Sequence, residues 1–158
     1  MALVIENGTG VSGADSYVTV AQCEAYATAY YGQSLAGSPQ SKEAALRRAY
    51  AYMMGLRWKS DTYPLFGGTI PQAVKNAQHE FARAEFQSVG VLSPNTSLRE
   101  IIVDREKVGQ IEVGYDSSQT VASIDMVQPY ITAGMRWIAP YLVNGGKPGV
   151  RMTDVRVV

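Results

Sequence analysis

The spacing of apolar residues changes twice along the chain. It is helical up to about residue 90, alternating between 100 and 115, and helical again beyond about 126. Thr19 followed by Gln22 reads as a capping box and Gly32 as a stop, which predicts a first helix over 20–31 with Tyr26 and Tyr30 one turn apart. Ser38 before Pro39 is an N-cap with proline at the first helical position, opening a second helix that runs to about Gly55. Its Leu46, Ala49, Tyr50 and Met53 form an apolar stripe. Pro71 opens a third helix to about Val89, with Val74, Ala77, Phe81 and Ala84 on the core face and Lys75, Glu80 and Glu85 off it.

In "REIIVDREKVGQIEVGY", residues 99–115, Ile111, Val113 and Tyr115 alternate with Glu112 and Gly114. Strands are expected near 100–108 and 111–115, joined through Gly109-Gln110 as a type II′ turn. A last helix is expected over 126–143, with Ile131, Met135, Ile138 and Leu142 facing inward and Pro140 bending or ending it. The fold is therefore mainly α: a small bundle of about four helices with one inserted β-hairpin. Residues 1–143 form the domain, and 144–158 a Gly-Gly linker followed by an extended, strand-like C-terminal arm.

Composition narrows the function. An apolar fraction of 46% and a charged fraction of 18% suit a folded globular chain. Fourteen basic residues balance fourteen acidic ones, so no long-range field draws the chain to nucleic acid or an anionic membrane. One cysteine excludes an internal disulfide, and no stretch approaches the length of a membrane span. The amino terminus lacks the pattern of a signal peptide. A soluble protein made and kept inside a cell, or inside something a cell assembles, is the expectation.

Few residues suggest chemistry. "GTGVSG" at 8–13 matches the dinucleotide fingerprint, but that fingerprint must open a helix at once, and the first helix begins near Val20. It reads as a turn-rich loop. His79, the sole histidine, has Glu80 beside it on what should be a different face, and Cys23 reads as a small buried residue. No enzyme, metal or cofactor is expected. The segment 47–63 interleaves Arg47, Arg48, Arg57 and Lys59 with Tyr50, Tyr52, Trp58 and Tyr63, a mixture that binds single-stranded nucleic acid by charge and stacking. Core packing of Tyr50 and Trp58, and pairing of Arg47 with Glu43, are the plainer account. The hairpin and the arm each need a partner surface, since two strands alone are marginal and a lone strand leaves its backbone groups unpaired.

Several stretches carry a family resemblance. The opening "MALVIENGTGVSGADSYVTVAQCEAYATAYYG", then "KEAALRRAYAYM", "IPQAVKNAQHEFA", "REKVGQIEVGY" and "MRWIAPYL", resemble in order and spacing the tailed-phage proteins called DnaT-like single-strand-binding proteins. Their helical fold with a hairpin in turn resembles phage head–tail connector (adaptor, or head-completion) proteins. That resemblance implies a structural virion protein at the head–tail interface, made in the bacterial host cytoplasm. It implies a homo-oligomeric ring, a dodecamer, beneath the portal and next to a tail or head-closure protein, with genomic DNA passing through. The arm residues Val150, Arg151, Met152, Val155, Arg156 and Val157 are the expected portal contacts. Arg105, Lys107, Gln110 and Glu112 of the hairpin are expected to touch neighbouring subunits or the tail. The alternative implied by the family's name is a single-strand-binding replication accessory using Arg47, Arg48, Arg57, Trp58 and Lys59.

Overall fold

A computed structural model describes residues 2–59, 63–93, 105–108, 111–114 and 129–146. Among them are four α-helices: α1 (Val20–Tyr31), α2 (Pro39–Met54), α3 (Gln72–Gln87) and α4 (Thr132–Ile138). Strands β1 (Arg105–Val108) and β2 (Ile111–Gly114) lie between α3 and α4 in the chain. The protein is a small, mainly helical bundle with an inserted hairpin.

The helix ends follow local chemistry. The Thr19 hydroxyl accepts from the Gln22 amide while the Gln22 side chain accepts from the Thr19 amide, and Gly32 closes α1 in the left-handed conformation. The Ser38 hydroxyl accepts from the Ser41 amide, with Pro39 at the first position of α2. α3 stops at Gln87, short of Val89, because the Glu85 carboxylate takes the amides of Gly90 and Leu92 and pulls the chain out of the helix.

The last helix differs more from expectation. It begins at Thr132 rather than 126. Ile131 is extended, and the Pro129 carbonyl, which a longer helix would need for its own ladder, accepts instead from the Tyr52 hydroxyl. Pro140 ends α4 as expected, and the chain continues in 3-10 turns over Ala139–Tyr141 and Val143–Gly146. The Gly-Gly stretch therefore begins inside a turn. Residues 147–158, and with them the strand reading of the arm, lie outside the described residues.

Leu46, Ala49 and Met53 of α2, Val74, Ala77 and Phe81 of α3, and Met135, Ile138 and Leu142 after the hairpin build the core. At Gly134 a side chain would collide with the ring of Phe81, so glycine lets α4 lie against α3. Residues 57–59 run beside 141–143, with Val143 donating to the Arg57 carbonyl at 2.9 Å and Lys59 to the Tyr141 carbonyl at 2.8 Å.

β1 and β2 are antiparallel, with Val108 opposite Ile111 and Lys107 opposite Glu112. That register puts Arg105, Lys107, Glu112 and Gly114 on one face and Glu106, Val108, Ile111 and Val113 on the other. Among the described residues the two strands pair only with each other. Gly109 and Gln110, and the type II′ reading of their turn, lie outside the described residues.

Candidate functional site

The basic and aromatic residues of 47–63 are taken up by the fold. Arg47 donates through Nε to Asp15 Oδ2 at 2.6 Å and pairs with Glu43 one turn back at 3.5 Å. Arg48 Nε donates to Glu85 Oε1 at 2.6 Å. The Trp58 indole donates to the Met53 carbonyl at 3.0 Å, stacks on Tyr63 with ring centroids 4.3 Å apart, and meets Phe66 edge-on. Lys59 Nζ donates to the Pro140 carbonyl. The backbone of Arg57 is paired with Val143. Tyr52 is buried and Tyr50 packs edge-on against Tyr17. This stretch is a fastening between α2, α3 and the last turns.

The "GTGVSG" loop is also occupied from within. The buried Glu6 carboxylate accepts from the amides of Gly8 at 2.7 Å, Gly10 at 3.1 Å and Val11 at 2.9 Å. Burial alone would raise its pKa, but these amides outweigh that cost and hold it below the usual carboxylate range. The glycines thus build an anion-binding concavity whose anion is the protein's own side chain.

A second cluster spans α1, α3 and α4, and only the one-turn spacing of Tyr26 and Tyr30 hinted at it in the sequence. Tyr30, Tyr26 and His79 form a ladder of stacked rings, with centroids 4.3 Å and 4.7 Å apart. Trp137 of α4 meets Tyr30 edge-on, and the Arg83 guanidinium sits 3.7 Å over the ring of Tyr31. The hydroxyls of Tyr26 and Tyr31 both donate to Glu80 Oε1 at 2.7 Å. Glu80 is therefore buried, contrary to the sequence expectation, because two phenols replace the water its carboxylate would lose. His79 and Glu80, adjacent on the helix, share Tyr26: one through its ring, the other through its hydroxyl.

Burial, reinforced by the bonds to Glu80, raises the pKa of both tyrosines. Burial and then Lys75 lower that of His79 to about 4, and its Nδ1 is buried without a partner. The imidazole is neutral at pH 7. Burial also lifts the Cys23 thiol to about 12, far from a reactive thiolate. Among the described residues no group of three or more His, Cys, Asp or Glu is arranged to hold a metal. The outer side of the cluster is accessible: Tyr30 is 57% and Tyr31 39% exposed. An aromatic surface with the Arg83 guanidinium over one of its rings is what the arrangement offers.

The remaining predicted residues are placed less fully. Arg105, Lys107 and Glu112 share the polar face of the hairpin. Gln110 and the arm residues Val150, Arg151, Met152, Val155, Arg156 and Val157 lie outside the described residues. No described helix is long and apolar enough to cross a membrane.

One family model matches the chain, in two overlapping segments at residues 1–64 and 58–157; its description is "Putative DnaT-like ssDNA binding protein". No curated protein and no solved structure matches.

Proposed function

The chain belongs to the family of DnaT-like single-stranded-DNA-binding proteins, and we propose that it serves as a structural subunit of a tailed-phage particle. In this reading it is a non-enzymatic head–tail connector that forms a closed ring beneath the portal and extends the channel for the genome. The observation that carries the reading is the hairpin, two four-residue strands that pair with each other and, among the described residues, with no other strand. Such a pair is marginal alone and gains its stability from a partner surface. Closed rings are built from heterologous interfaces, in which a projecting element of one copy meets a different face of the next. A channel wall that lets DNA slide also gains nothing from tight phosphate contacts, consistent with the internal pairing of Arg47 and Arg48. The arm, through Val150, Arg151, Met152, Val155, Arg156 and Val157, would join a sheet of the portal by strand addition.

The test is capture of portal protein from nuclease-treated lysate of phage-infected cells, using tagged full-length chain and a chain stopped after Gly146. Portal on the full-length chain alone is the expected result. Portal on both keeps the connector and moves its contact to the bundle or hairpin. Recovery of replication proteins and no portal would overturn it.

The family description favours a second reading, single-stranded-DNA binding. On this fold the exposed Tyr30 and Tyr31 with Arg83 are better placed for it than Arg47, Arg48, Arg57, Trp58 and Lys59. Oligonucleotide binding with a steep salt dependence, lost in Tyr30→Ala, would establish it.

A further inference from the structure

The outer end of the aromatic ladder is an open ring face. Tyr26 stands between Tyr30 and His79, with centroids 4.3 Å and 4.7 Å away and planes tilted by 23° and 24°. One face of Tyr30 is therefore covered by Tyr26, while Trp137 meets the ring at 89° from a centroid distance of 6.4 Å. Tyr30 is nonetheless 57% exposed, and its free area is the side away from Tyr26. The rings behind it are held: the Tyr26 hydroxyl donates to Glu80 at 2.7 Å, and His79 is buried. A planar group laid on Tyr30 meets a surface that is already ordered, which lowers the entropic cost of binding.

Tyr31, next in the chain, has a different task. Its hydroxyl donates to both oxygens of Glu80, at 2.7 and 2.8 Å, and the Arg83 guanidinium lies over its ring, 3.7 Å from the centroid. A guanidinium can rest on an aromatic face and still direct N–H donors to a phosphate. Arg83 meets no carboxylate within ion-pairing distance among the described residues, and Glu80, the carboxylate of the cluster, is buried. The end of α1 thus sets an open stacking face next to a tyrosine that carries an arginine. Aromatic faces for the bases, with positive charge for the backbone, are the means by which single strands are bound with little regard to sequence. The description of the family points to the same class of ligand.

We propose that Tyr30 receives one unpaired base of a single-stranded nucleic acid on its outer face, as the next layer of the Tyr30–Tyr26–His79 ladder, and that Arg83 donates to a phosphate of the same strand. Tyr26 and His79 are positioning residues that hold the Tyr30 ring. Tyr31 stacks no base; it positions Arg83. The proposal rests on the single-stranded-DNA reading above and assigns each residue of the cluster its part. Every base has a π-face, so the contact tolerates any sequence, whereas a base inside a duplex has no face to offer.

The test uses the full chain and three variants, Tyr30→Phe, Tyr30→Ala and Arg83→Gln, with circular dichroism to check that each is folded. The probe is oligo-dT of about 16 nucleotides with a single 2-aminopurine near its middle, alone and annealed to its complement. Anisotropy of an end label reports binding, and quenching of the 2-aminopurine reports stacking. The expected result is binding with quenching for the single strand and neither for the duplex. Tyr30→Phe should match the unaltered chain, because the stacking face and not the hydroxyl makes the contact. Tyr30→Ala should weaken binding by about 5- to 150-fold, the range for losing one stacked base, and lose the quenching. Arg83→Gln should weaken binding and leave the quenching at saturation in place, a split that general damage to the surface would not produce.

Single-strand binding that is indifferent to Tyr30→Ala would keep the single-stranded-DNA reading and overturn this site. Equal loss in Tyr30→Phe and Tyr30→Ala, or binding without quenching, would overturn the stacking role. A chain that binds no oligonucleotide overturns the site and the single-stranded-DNA reading together. If that chain self-associates in sedimentation velocity and Tyr30→Ala abolishes the association, the surface is an interface between copies instead.

Discussion

Replacing Gly134 by alanine sets two effects of opposite sign against each other. Gly134 lies inside α4 with no left-handed backbone requirement. Helix propensity alone therefore predicts that Gly134→Ala stabilises by about 1 kcal/mol. Packing predicts the reverse. A Cβ at this position would stand 2.3, 2.6 and 2.7 Å from three ring atoms of Phe81. Favourable carbon contacts lie at roughly 3.5–4.0 Å, so ring and helix must part by about 1 Å. Phe81 is fully buried, and Tyr52 abuts its ring edge-on at 4.9 Å. Overpacking of this kind costs about 1–3 kcal/mol, and with atoms this close the upper part of that range applies. The net expectation is a loss of about 1–2 kcal/mol, a fall in Tm of roughly 2–8 °C for a chain of this length. Urea unfolding followed by tryptophan fluorescence and far-UV circular dichroism measures it. Phe81→Leu supplies the control: with the ring removed, Gly134→Ala should cost less, with a coupling of about 0.5 kcal/mol or more. A Gly134→Ala chain as stable as the unaltered one, or strict additivity of the two changes, would refute the packing account.

Three further outcomes can be measured the same way. Glu85→Ala should cost about 2–4 kcal/mol, chiefly because it leaves the amides of Gly90 and Leu92 without their acceptor. Arg48→Ala should cost less, since its side chain is 38% exposed and the amides still hold Glu85; the opposite order would make the ion pair the main fastening. His79 is neutral when folded, with its pKa lowered to about 4, so the unfolded chain binds more protons. Stability should then decline from about pH 6.5 to pH 4 by roughly 3 kcal/mol, and His79→Phe, which keeps a ring against Tyr26, should flatten that window. Gly8→Ala should cost about 2 kcal/mol or more, since it combines a φ of 103° with a Cβ 2.5 Å from the Gly68 carbonyl carbon. Gly13→Ala, with a φ of 73° and open space around it, should cost only about 1 kcal/mol; equal losses would mean that the approach of Gly68 does not matter.

The helices were legible because their ends are written locally. Thr19 with Gln22, Gly32, and Ser38 with Pro39 act within a few residues, and α1 and α2 begin where those signals stand. The hairpin register was legible for the same reason, since alternation and a two-residue gap set it. The start of α4 was not, because it depends on Tyr52, seventy-seven residues away, capturing the Pro129 carbonyl. Glu80 and Glu85 were misplaced on an outer face for a related reason. A carboxylate counts as a surface residue until its donors are known, and those donors come from α1, α2 and the turn beyond α3. The basic and aromatic mixture of 47–59 displayed its residue types but not their partners. The aromatic ladder was missed because its rings come from α1 and α3, with Trp137 of α4 against its edge.

Three buried polar residues of α3 have a bearing on how the lineage can change. Gln78 fastens the Tyr17 amide, the Ser16 hydroxyl and the Leu46 carbonyl; Glu80 fastens α1; Glu85 fastens α2 and the turn after α3. Apolar core positions can drift by compensating volume changes. These three can drift only if partners in other elements change with them. A one-residue insertion in α3 would turn everything beyond it by about 100° and undo several fastenings at once. As descendants diverge, the greasy stripe of α3 should blur first, and the Gln-x-Glu spacing with its Glu five residues on should be the last part of the helix to become unrecognisable.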